Sequence, residues 1–189
     1  LWVEPEMVNP DSHLARDHPE WVLSSGNRTP LPARRQQVVD LTQPGAYAHI
    51  LDSLDALLNE YRIDYLKWDH NRDLLEAGRW PTGQAAVHNQ TLATYAIMDE
   101  LRRRHPGLEI ESCASGGGRV DLGILEHTDR VWASDCIDAL ERQTIERYTG
   151  LLLAPELIGS HIGSAQAHTT GRRHHLSFLA GTAFRRRVA

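Results

Sequence analysis

Two aspartates in this sequence stand at the ends of segments that are predicted strands. Asp69 follows residues 63–68, and Asp135 follows residues 131–134. In proteins built from parallel strands and helices, the carboxyl ends of the strands carry the active site, so both side chains are expected on one face. Paired carboxylates with different protonation states are suited to glycoside hydrolysis, in which one carboxylate attacks and the other group holds a proton. The two aspartates are therefore candidates for that chemistry.

Each aspartate also has a structural interpretation. Asp69 lies between Lys67 and Arg72, whose positive charges favour an ionised carboxylate. Such a carboxylate is either a nucleophile or one member of a buried ion pair. Asp135 precedes a predicted helix, so it is either a general acid or the N-cap of that helix, which is a common role of aspartate. The spacing of these residues leaves both alternatives open.

Aromatic, glycine-rich and histidine-rich segments offer further candidates. Trp2, Trp68 and Trp132 fall in three predicted strands, where an indole ring either stacks on the apolar face of a sugar or packs in the core. Residues 115–118 form a glycine-rich loop whose backbone amides can surround a small ligand, but the Lys-Ser/Thr pair of a phosphate loop does not follow. The histidines between residues 161 and 175 lack the spacing of common zinc sites, so no metal ligand is predicted.

The elements that must position these residues alternate between helix and strand. Pro44 suits a first helical turn, and apolar residues then recur at steps of three and four up to Tyr61, which predicts a helix. Leu92, Leu140 and Tyr148 are expected on the inner faces of later helices. Periodicity and turn residues predict a strand at 63–69, a helix at 84–104, strands at 108–113 and 131–134, a helix at 137–151, a strand at 157–161 and a helix at 176–184. This alternation predicts an α/β fold with parallel strands and crossover helices.

The composition is that of a globular protein with an acidic balance. The 189 residues carry a formal net charge of −5, with 41% hydrophobic and 24% charged residues, which excludes collagen-like, coiled-coil and low-complexity chains. The acidic balance argues against nucleic acid as a partner, and no run approaches the ~18 apolar residues of a membrane span. Cys113 and Cys136 are too few for a disulfide framework. We interpret them as free thiols in a reducing compartment and expect a cytoplasmic protein.

Four segments, in this order along the chain, resemble the glycoside hydrolase family 36 α-galactosidases. They are WVEPEMVNPDS at 2–12 with HPEWVL at 18–23, DYLKWDHNR at 64–72, ESCASGGGR at 111–119 and WASDCIDALER at 132–142. Four long motifs in the family's order are far more specific than any single short pattern. The resemblance runs from Leu1 to about Phe184. It implies a (β/α)₈ TIM barrel that hydrolyses terminal α-galactosides, such as melibiose and raffinose, with retention of configuration.

The resemblance also implies roles for individual residues. Asp69 matches the catalytic nucleophile and Asp135 the general acid/base of a double displacement. The residues that match galactose contacts are Trp2, Arg34, Lys67, Asn71, Cys113 and Gly116. The implied partners are α-galactoside oligosaccharides, without nucleic acid or membrane. No metal or organic cofactor is implied, and the family's full-length proteins often form homo-oligomers.

The chain is expected to be a fragment of the family's catalytic barrel. Members of the family are much longer, and the resemblance covers about strands 3 to 7 or 8 of the barrel. We expect residues 1–184 to form this partial catalytic domain and residues 185–189 an aberrant basic tail. The open strand edges of such a fragment predict marginal stability for the chain alone. Two alternatives to hydrolysis are transfer of galactose to a sugar acceptor, as in raffinose synthases, and a non-catalytic remnant of the barrel.

Overall fold

The computed structural model describes residues 1–26 and 28–184, and the chain divides into two compact units. The first unit runs from Leu1 to Ile110, and the second begins at Glu111. Each unit contains parallel strand pairing and α-helices, so the predicted α/β class is confirmed. The basic tail predicted at 185–189 lies outside the described residues.

The first unit contains the predicted order of helix, strand and helix after residue 44, together with short strands and turns that were not predicted. In chain order they are β1 (Trp2–Val3), β2 (Met7–Val8), α1 (His13–Asp17), a 3₁₀ turn (Pro19–Trp21), β3 (Gln37–Val38), α2 (Pro44–Glu60), β4 (Tyr65–Trp68), β5 (Gly78–Arg79), β6 (Gln84–Ala85) and α3 (Val87–Arg104). Strands β2 and β3 pair antiparallel, as do β5 and β6.

The pairing of β1 with β4 sets the position of Asp69. The two strands are parallel, with Trp2 opposite Lys67 and Val3 opposite Trp68. Side chains alternate between the two faces of a strand, and Trp68 is fully buried in the core. Asp69 follows directly after β4, and its backbone N–H donates to the carbonyl of Val3 at 2.9 Å. The strand therefore ends with a carboxylate held beside β1.

The two long helices of the first unit each bury one apolar stripe. Helix α2 begins at Pro44, where the missing N–H of proline costs no helical hydrogen bond. Helices α2 and α3 contact each other. Their buried apolar side chains are Ala46, Leu51, Leu54 and Leu58 on α2, and Ile97, Met98 and Leu101 on α3. Full burial of one large aliphatic side chain contributes about 1.5–3 kcal/mol, so these stripes anchor the unit.

The predicted start of helix α3 is wrong. The helix expected from residue 84 begins at Val87, because Gln84–Ala85 instead pairs with Gly78–Arg79 in a small hairpin. Leu92, expected on the inner face, is half-exposed. Gln90 is buried on that helix, where its amide bonds the backbone of Leu41 and Val39 at 2.9 Å each. A polar residue therefore occupies a position on the inner face that periodicity does not identify.

The second unit contains the end of a strand that begins in the first. Its elements are the end of β7 (Glu109–Ser112), a 3₁₀ turn (Ile124–Glu126), β8 (Arg130–Val131), α4 (Ala139–Thr149), a 3₁₀ turn (Pro155–Leu157) and α5 (Leu176–Phe184). Strands β7 and β8 pair in parallel, with Glu111 opposite Arg130 and Ser112 opposite Val131. The strand predicted at 157–161 is reduced to a single parallel bridge between Val131 and Ile158.

Helix α4 buries a different face within the second unit from the one that the apolar pattern predicts. Leu140 and Tyr148, predicted to face inward, are exposed. Arg142 is buried instead, and its guanidinium donates to the carbonyls of Ser134 at 3.0 Å and Gly159 at 3.1 Å. The inner face of α4 is therefore partly polar, which explains why the apolar pattern misplaced it.

Among the described residues, no helix is both long enough and apolar enough to span a membrane.

Candidate active site

Both carboxylate oxygens of Asp69 accept hydrogen bonds. Oδ2 accepts the indole Nε1–H of Trp2 at 3.0 Å, and Oδ1 accepts the backbone N–H of His70 at 2.8 Å. The side chain is buried. Donors to a carboxylate favour its charged form. The first unit therefore holds Asp69 in one orientation and stabilises its negative charge.

Spacing left open an ion pair of Asp69 with Lys67 or Arg72, and Arg72 binds other groups. Arg72 is buried, and its guanidinium donates to the carbonyl of Leu31 and to the carbonyl of Asp73 at 3.0 Å. Its Nη2 also lies 4.0 Å from a carboxylate oxygen of Glu76. Arg72 thus braces the loop after β4, so its role is structural.

Arg34 and Asn71, both implied by the resemblance, lie together. Arg34 Nη1 donates to the side-chain oxygen of Asn71 at 2.9 Å and to its carbonyl at 3.2 Å. The backbone N–H of Asn71 donates to Glu4 at 2.8 Å, and the side-chain amide of Gln36 donates to the other oxygen of Glu4 at 2.6 Å. Glu4 therefore links the loop of Asn71 to the loop of Arg34.

A second buried carboxylate, Glu6, contacts the two residues that flank Asp69 in the chain. Glu6 is buried and accepts the indole N–H of Trp68 at 2.9 Å and the hydroxyl of Thr94 at 3.0 Å. His70 Nε2 lies 4.0 Å from it. Glu6 thus fixes the two neighbours of Asp69 in the chain. Nothing in the local spacing signals this, because Glu6 and Trp68 are 62 residues apart.

Asp135, in the second unit, is exposed, and one of its carboxylate oxygens accepts a hydrogen bond. Its Oδ1 accepts the indole Nε1–H of Trp132 at 3.0 Å. It is not the N-cap of α4. That position belongs to Asp138, whose Oδ1 accepts the backbone N–H groups of Leu140 at 2.9 Å and Glu141 at 3.4 Å. The capping interpretation of Asp135 is therefore wrong, and the side chain is available for other chemistry.

The glycine-rich loop packs against the backbone that carries Asp135. Gly116 has φ +83°, and a Cβ placed there would lie 2.8 Å from the backbone nitrogen of Asp135. A Cβ on Gly117 would lie 2.5 Å from the carbonyl oxygen of Ala133. Only glycine fits such an approach, and a positive φ adds to that requirement. Gly116 and Asp135 are thus adjacent, while Cys113 is buried at the start of the loop.

Asp138 connects α4 to the segment near residue 170. Its carboxylate is fully buried and accepts bonds from Thr170, from His174 at 3.0 Å and from Arg172 at 3.1 Å. Burial by itself raises the pKa of this carboxyl. The hydrogen bonds from Thr170, from His174 and from the backbone of α4 outweigh burial and hold the pKa of Asp138 well below its usual range. The Asp138 carboxyl group is therefore ionised at neutral pH.

Within residues 1–26 and 28–184, no cluster of three or more His, Cys, Asp or Glu side chains could hold a metal ion. Two of the late histidines have other partners. His161 stacks on Trp132 with ring centroids 4.0 Å apart, and His174 binds Asp138.

Comparison with known proteins places this geometry in a family. The melibiase family model matches residues 1–188. This chain belongs to the melibiase family. It is 48% identical over 183 residues to an α-galactosidase of Escherichia coli and 41% identical over 183 residues to α-galactosidase C of Emericella nidulans. The alignments cover 97% of this chain but 26% and 24% of those relatives.

Solved structures give the same family. The GH36 α-galactosidase AgaA from Geobacillus stearothermophilus superposes with a TM-score of 0.90 at 37% identity, and an AgaA variant in complex with raffinose does so with 0.91 at 36%. Both superpositions cover 97% of this chain and 26% of the AgaA chain. This member of the melibiase family therefore spans about a quarter of the length of its relatives, and the predicted family is confirmed.

The residues implied by the resemblance fall into three groups in this melibiase chain. In the first unit, Trp2 bonds Asp69 and pairs in register with Lys67. Arg34 and Asn71 form a second group in that unit. The group in the second unit consists of Asp135, Gly116, Cys113 and a residue that the role assignment omitted, Trp132. Trp132 was identified only as an aromatic strand residue, and its contact with Asp135 follows from a spacing of three residues.

Proposed function

We propose that this chain is part of the catalytic domain of a retaining α-galactosidase that releases terminal α-D-galactose from oligosaccharides of the melibiose and raffinose type. The observation that carries the proposal is the hydrogen bonding of Asp69. A buried carboxylate with a donor on each oxygen is oriented and charged, as a nucleophile must be. Relatives named α-galactosidases, and AgaA variants in complex with raffinose and stachyose, support the substrate class.

Asp69 and Asp135 have different roles in the proposed reaction. Asp69 attacks the anomeric carbon as the glycosidic C–O bond breaks, and Asp135 gives its proton to the departing oxygen. Water then gives a proton to Asp135 while its oxygen bonds the anomeric carbon and displaces Asp69. Two inversions leave galactose with its original configuration. Asp135 is exposed, which suits a group that must exchange a proton with water.

The proposed galactose contacts are those that the resemblance implied. An indole ring such as that of Trp2, half-exposed, offers an apolar face to the sugar. The other proposed contacts are Arg34, Lys67, Asn71, Cys113 and Gly116. We further propose that the chain forms about strands 3 to 7 or 8 of a TIM barrel, with residues 1–184 as the partial domain. No cofactor takes part in the proposed reaction.

Two further features of the proposal concern the whole protein. Neither Cys113 nor Cys136 forms a disulfide within the described residues, as is usual in a reducing compartment, and we propose a cytoplasmic location on that basis. Because full-length members of the family often form oligomers, we propose a homo-oligomer for the longer protein. Size-exclusion chromatography with light scattering measures the second point directly.

The test is release of nitrophenol from the α- and β-anomers of nitrophenyl galactoside by the full chain. Any turnover by this fragment is expected on the α-anomer only, and it should fall by at least about 10³-fold in Asp69→Asn, because a neutral amide replaces the attacking carboxylate. The matched control is Asp52→Asn, at an exposed aspartate on α2, which should keep full activity. Turnover that survives in Asp69→Asn, or cleavage of the β-anomer, would contradict the proposal.

Two other results separate the alternatives. Accumulation of galactosylated sugar rather than free galactose, with an excess of acceptor, would identify a galactosyltransferase. A folded chain that releases no nitrophenol from either anomer would favour the non-catalytic barrel remnant. Circular dichroism on the same sample distinguishes a folded inactive chain from an unfolded one.

A further inference from the structure

We propose that Trp132 is a positioning residue for Asp135: its indole N–H holds Oδ1, so that Oδ2 is the oxygen that gives and takes the catalytic proton. The inference deepens the proposed function and rests on it for the role of Asp135. Trp132 was interpreted above as a strand residue that packs in the core or stacks on sugar, and the resemblance assigns it no role.

The contact between the two side chains is specific. Indole Nε1–H is a donor only, and it lies 3.0 Å from Asp135 Oδ1. Trp132 is buried, whereas Asp135 is exposed. A buried, rigid ring therefore holds an exposed carboxyl group. Since a carboxyl group carries its proton on one oxygen, a donor on Oδ1 leaves Oδ2 as the site of protonation.

Two planar groups pack against the indole ring of Trp132. His161 stacks on one side, with centroids 4.0 Å apart and an interplanar angle of 16°. The guanidinium carbon of Arg142 lies 4.3 Å from the ring centroid, within the range of a cation–π contact. Two flanking planar groups restrict rotation of the ring. They hold its N–H in the direction of Asp135.

The two flanking groups are themselves anchored. Arg142 is buried and donates to the carbonyl of Ser134, the residue before Asp135, at 3.0 Å, and to Glu146 at 3.2 Å. His161 Nε2 lies 3.6 Å from Glu111 Oε1, a fully buried carboxylate. The same arginine thus supports both the ring and the backbone that carries Asp135.

The assignment of oxygens specifies each proton movement. In the first step the O–H bond at Oδ2 of Asp135 breaks, and its proton bonds the glycosidic oxygen, which leaves with the electron pair of the C–O bond. In the second step Oδ2 accepts a proton from water, whose oxygen bonds the anomeric carbon and displaces the Asp69 carboxylate. Oδ1 keeps its hydrogen bond to Trp132 in both steps.

The variant that isolates the N–H is Trp132→Phe. Phenylalanine keeps an aromatic ring between His161 and Arg142 but has no donor for Asp135. The matched control is Trp21→Phe, because Trp21 also stacks on a histidine, His18, with centroids 3.8 Å apart. The control measures the general cost of replacing a histidine-stacked indole.

The first readout does not depend on activity. In a ¹⁵N–¹H spectrum of the full chain, the indole signal that disappears in Trp132→Phe identifies Trp132. We expect this signal to move upfield in Asp135→Ala by more than the indole signals of Trp2, Trp21, Trp68 and Trp80. A Trp132 signal unchanged in Asp135→Ala would overturn the proposal, whatever the enzymatic activity of the chain.

The second readout compares leaving groups. The sugar released from melibiose needs a proton, whereas dinitrophenol leaves as a stable anion. For Trp132→Phe we expect kcat/KM to fall about tenfold on melibiose and less than about threefold on dinitrophenyl α-galactoside, since kcat/KM reports formation of the galactosyl-enzyme. Equal losses on both substrates would mean a merely structural role. If the wild-type chain cleaves neither substrate, these 189 residues do not form a complete site by themselves, and the indole signal alone decides whether Trp132 holds Asp135.

Discussion

Replacing Asp138 with asparagine should destabilise the second unit and remove an acid-sensitive part of its stability. The Asp138 carboxylate is fully buried and accepts five hydrogen bonds, from Thr170, Arg172, His174 and two backbone N–H groups of α4. Asparagine keeps one acceptor oxygen but turns an NH₂ group toward the remaining donors. The variant Asp138→Asn therefore loses charge-assisted bonds while it keeps a residue that can cap the helix.

The expected loss is about 3 kcal/mol in the free energy of unfolding. Each hydrogen bond to a charged group contributes about 1.5–3 kcal/mol. Arg172 is 43% exposed, so its bond is screened by solvent, and the low end applies to it. The bonds from Thr170 and Arg172 to Oδ2, both taken at the low end, give about 3 kcal/mol. Asp138→Ala should lose about 1 kcal/mol more, because alanine cannot cap the helix.

The sign of the pH dependence follows from the lowered pKa of Asp138. A carboxyl whose pKa is lower in the folded state than its ordinary 3.8 stabilises the fold above about pH 4. That contribution is lost as the pH falls through the folded pKa. The difference between wild type and Asp138→Asn should therefore be constant from about pH 5 to 7 and should narrow below about pH 4.

Urea unfolding monitored by circular dichroism at pH 7 and pH 3 measures both quantities. A difference smaller than about 1 kcal/mol at pH 7 would show that these hydrogen bonds do not stabilise the unit as argued. A difference of the same size at pH 3 would show that the charge of Asp138 is not the cause.

Two further predictions concern the candidate site. Gly116→Ala should cost about 2–4 kcal/mol in thermal unfolding experiments, because it adds a side chain at positive φ, and its Cβ would lie 2.8 Å from the backbone nitrogen of Asp135. The same variant should lower kcat more than it raises KM. An unchanged kcat would show that Gly116 does not support the position of the acid/base Asp135. Arg34→Lys should raise KM for melibiose about tenfold with little change in kcat, since lysine cannot reproduce the two bonds to Asn71. A large loss of kcat with unchanged KM would contradict that binding role.

Local signals in the sequence predicted the elements well where one face is uniformly apolar. Helix α2 begins at Pro44 as expected, because proline and a regular apolar spacing agree. Prediction failed where polar groups occupy the inner face. Arg142 is buried on α4 and Gln90 on α3, and both satisfy backbone groups that are distant in sequence or in other elements. Periodicity counts apolar residues and cannot register such bonds.

The candidate site, too, was predicted only in part from the sequence. Asp69 and Asp135 were found from their positions at the ends of predicted strands, but their interpretation as a nucleophile and an acid/base came from the family resemblance. The residues that hold them were not predicted. Glu6 reaches Trp68 across 62 positions, and the ring of Trp132 is fixed by His161, 29 positions later. Long-range contacts of this kind exist only once the chain has folded.

In the proposed reaction, Asp69 bonds covalently to galactose during turnover. The most direct test is to treat the full chain with a fluorinated α-galactosyl fluoride, which forms the galactosyl-enzyme and releases it slowly, and to digest it with trypsin. Cleavage after Lys67 and Arg72 releases a peptide of residues 68–72 in which Asp69 is the one carboxylate side chain. We expect one fluorogalactosyl adduct on this peptide. An adduct on any other peptide, or no adduct in a chain that hydrolyses melibiose, would contradict it.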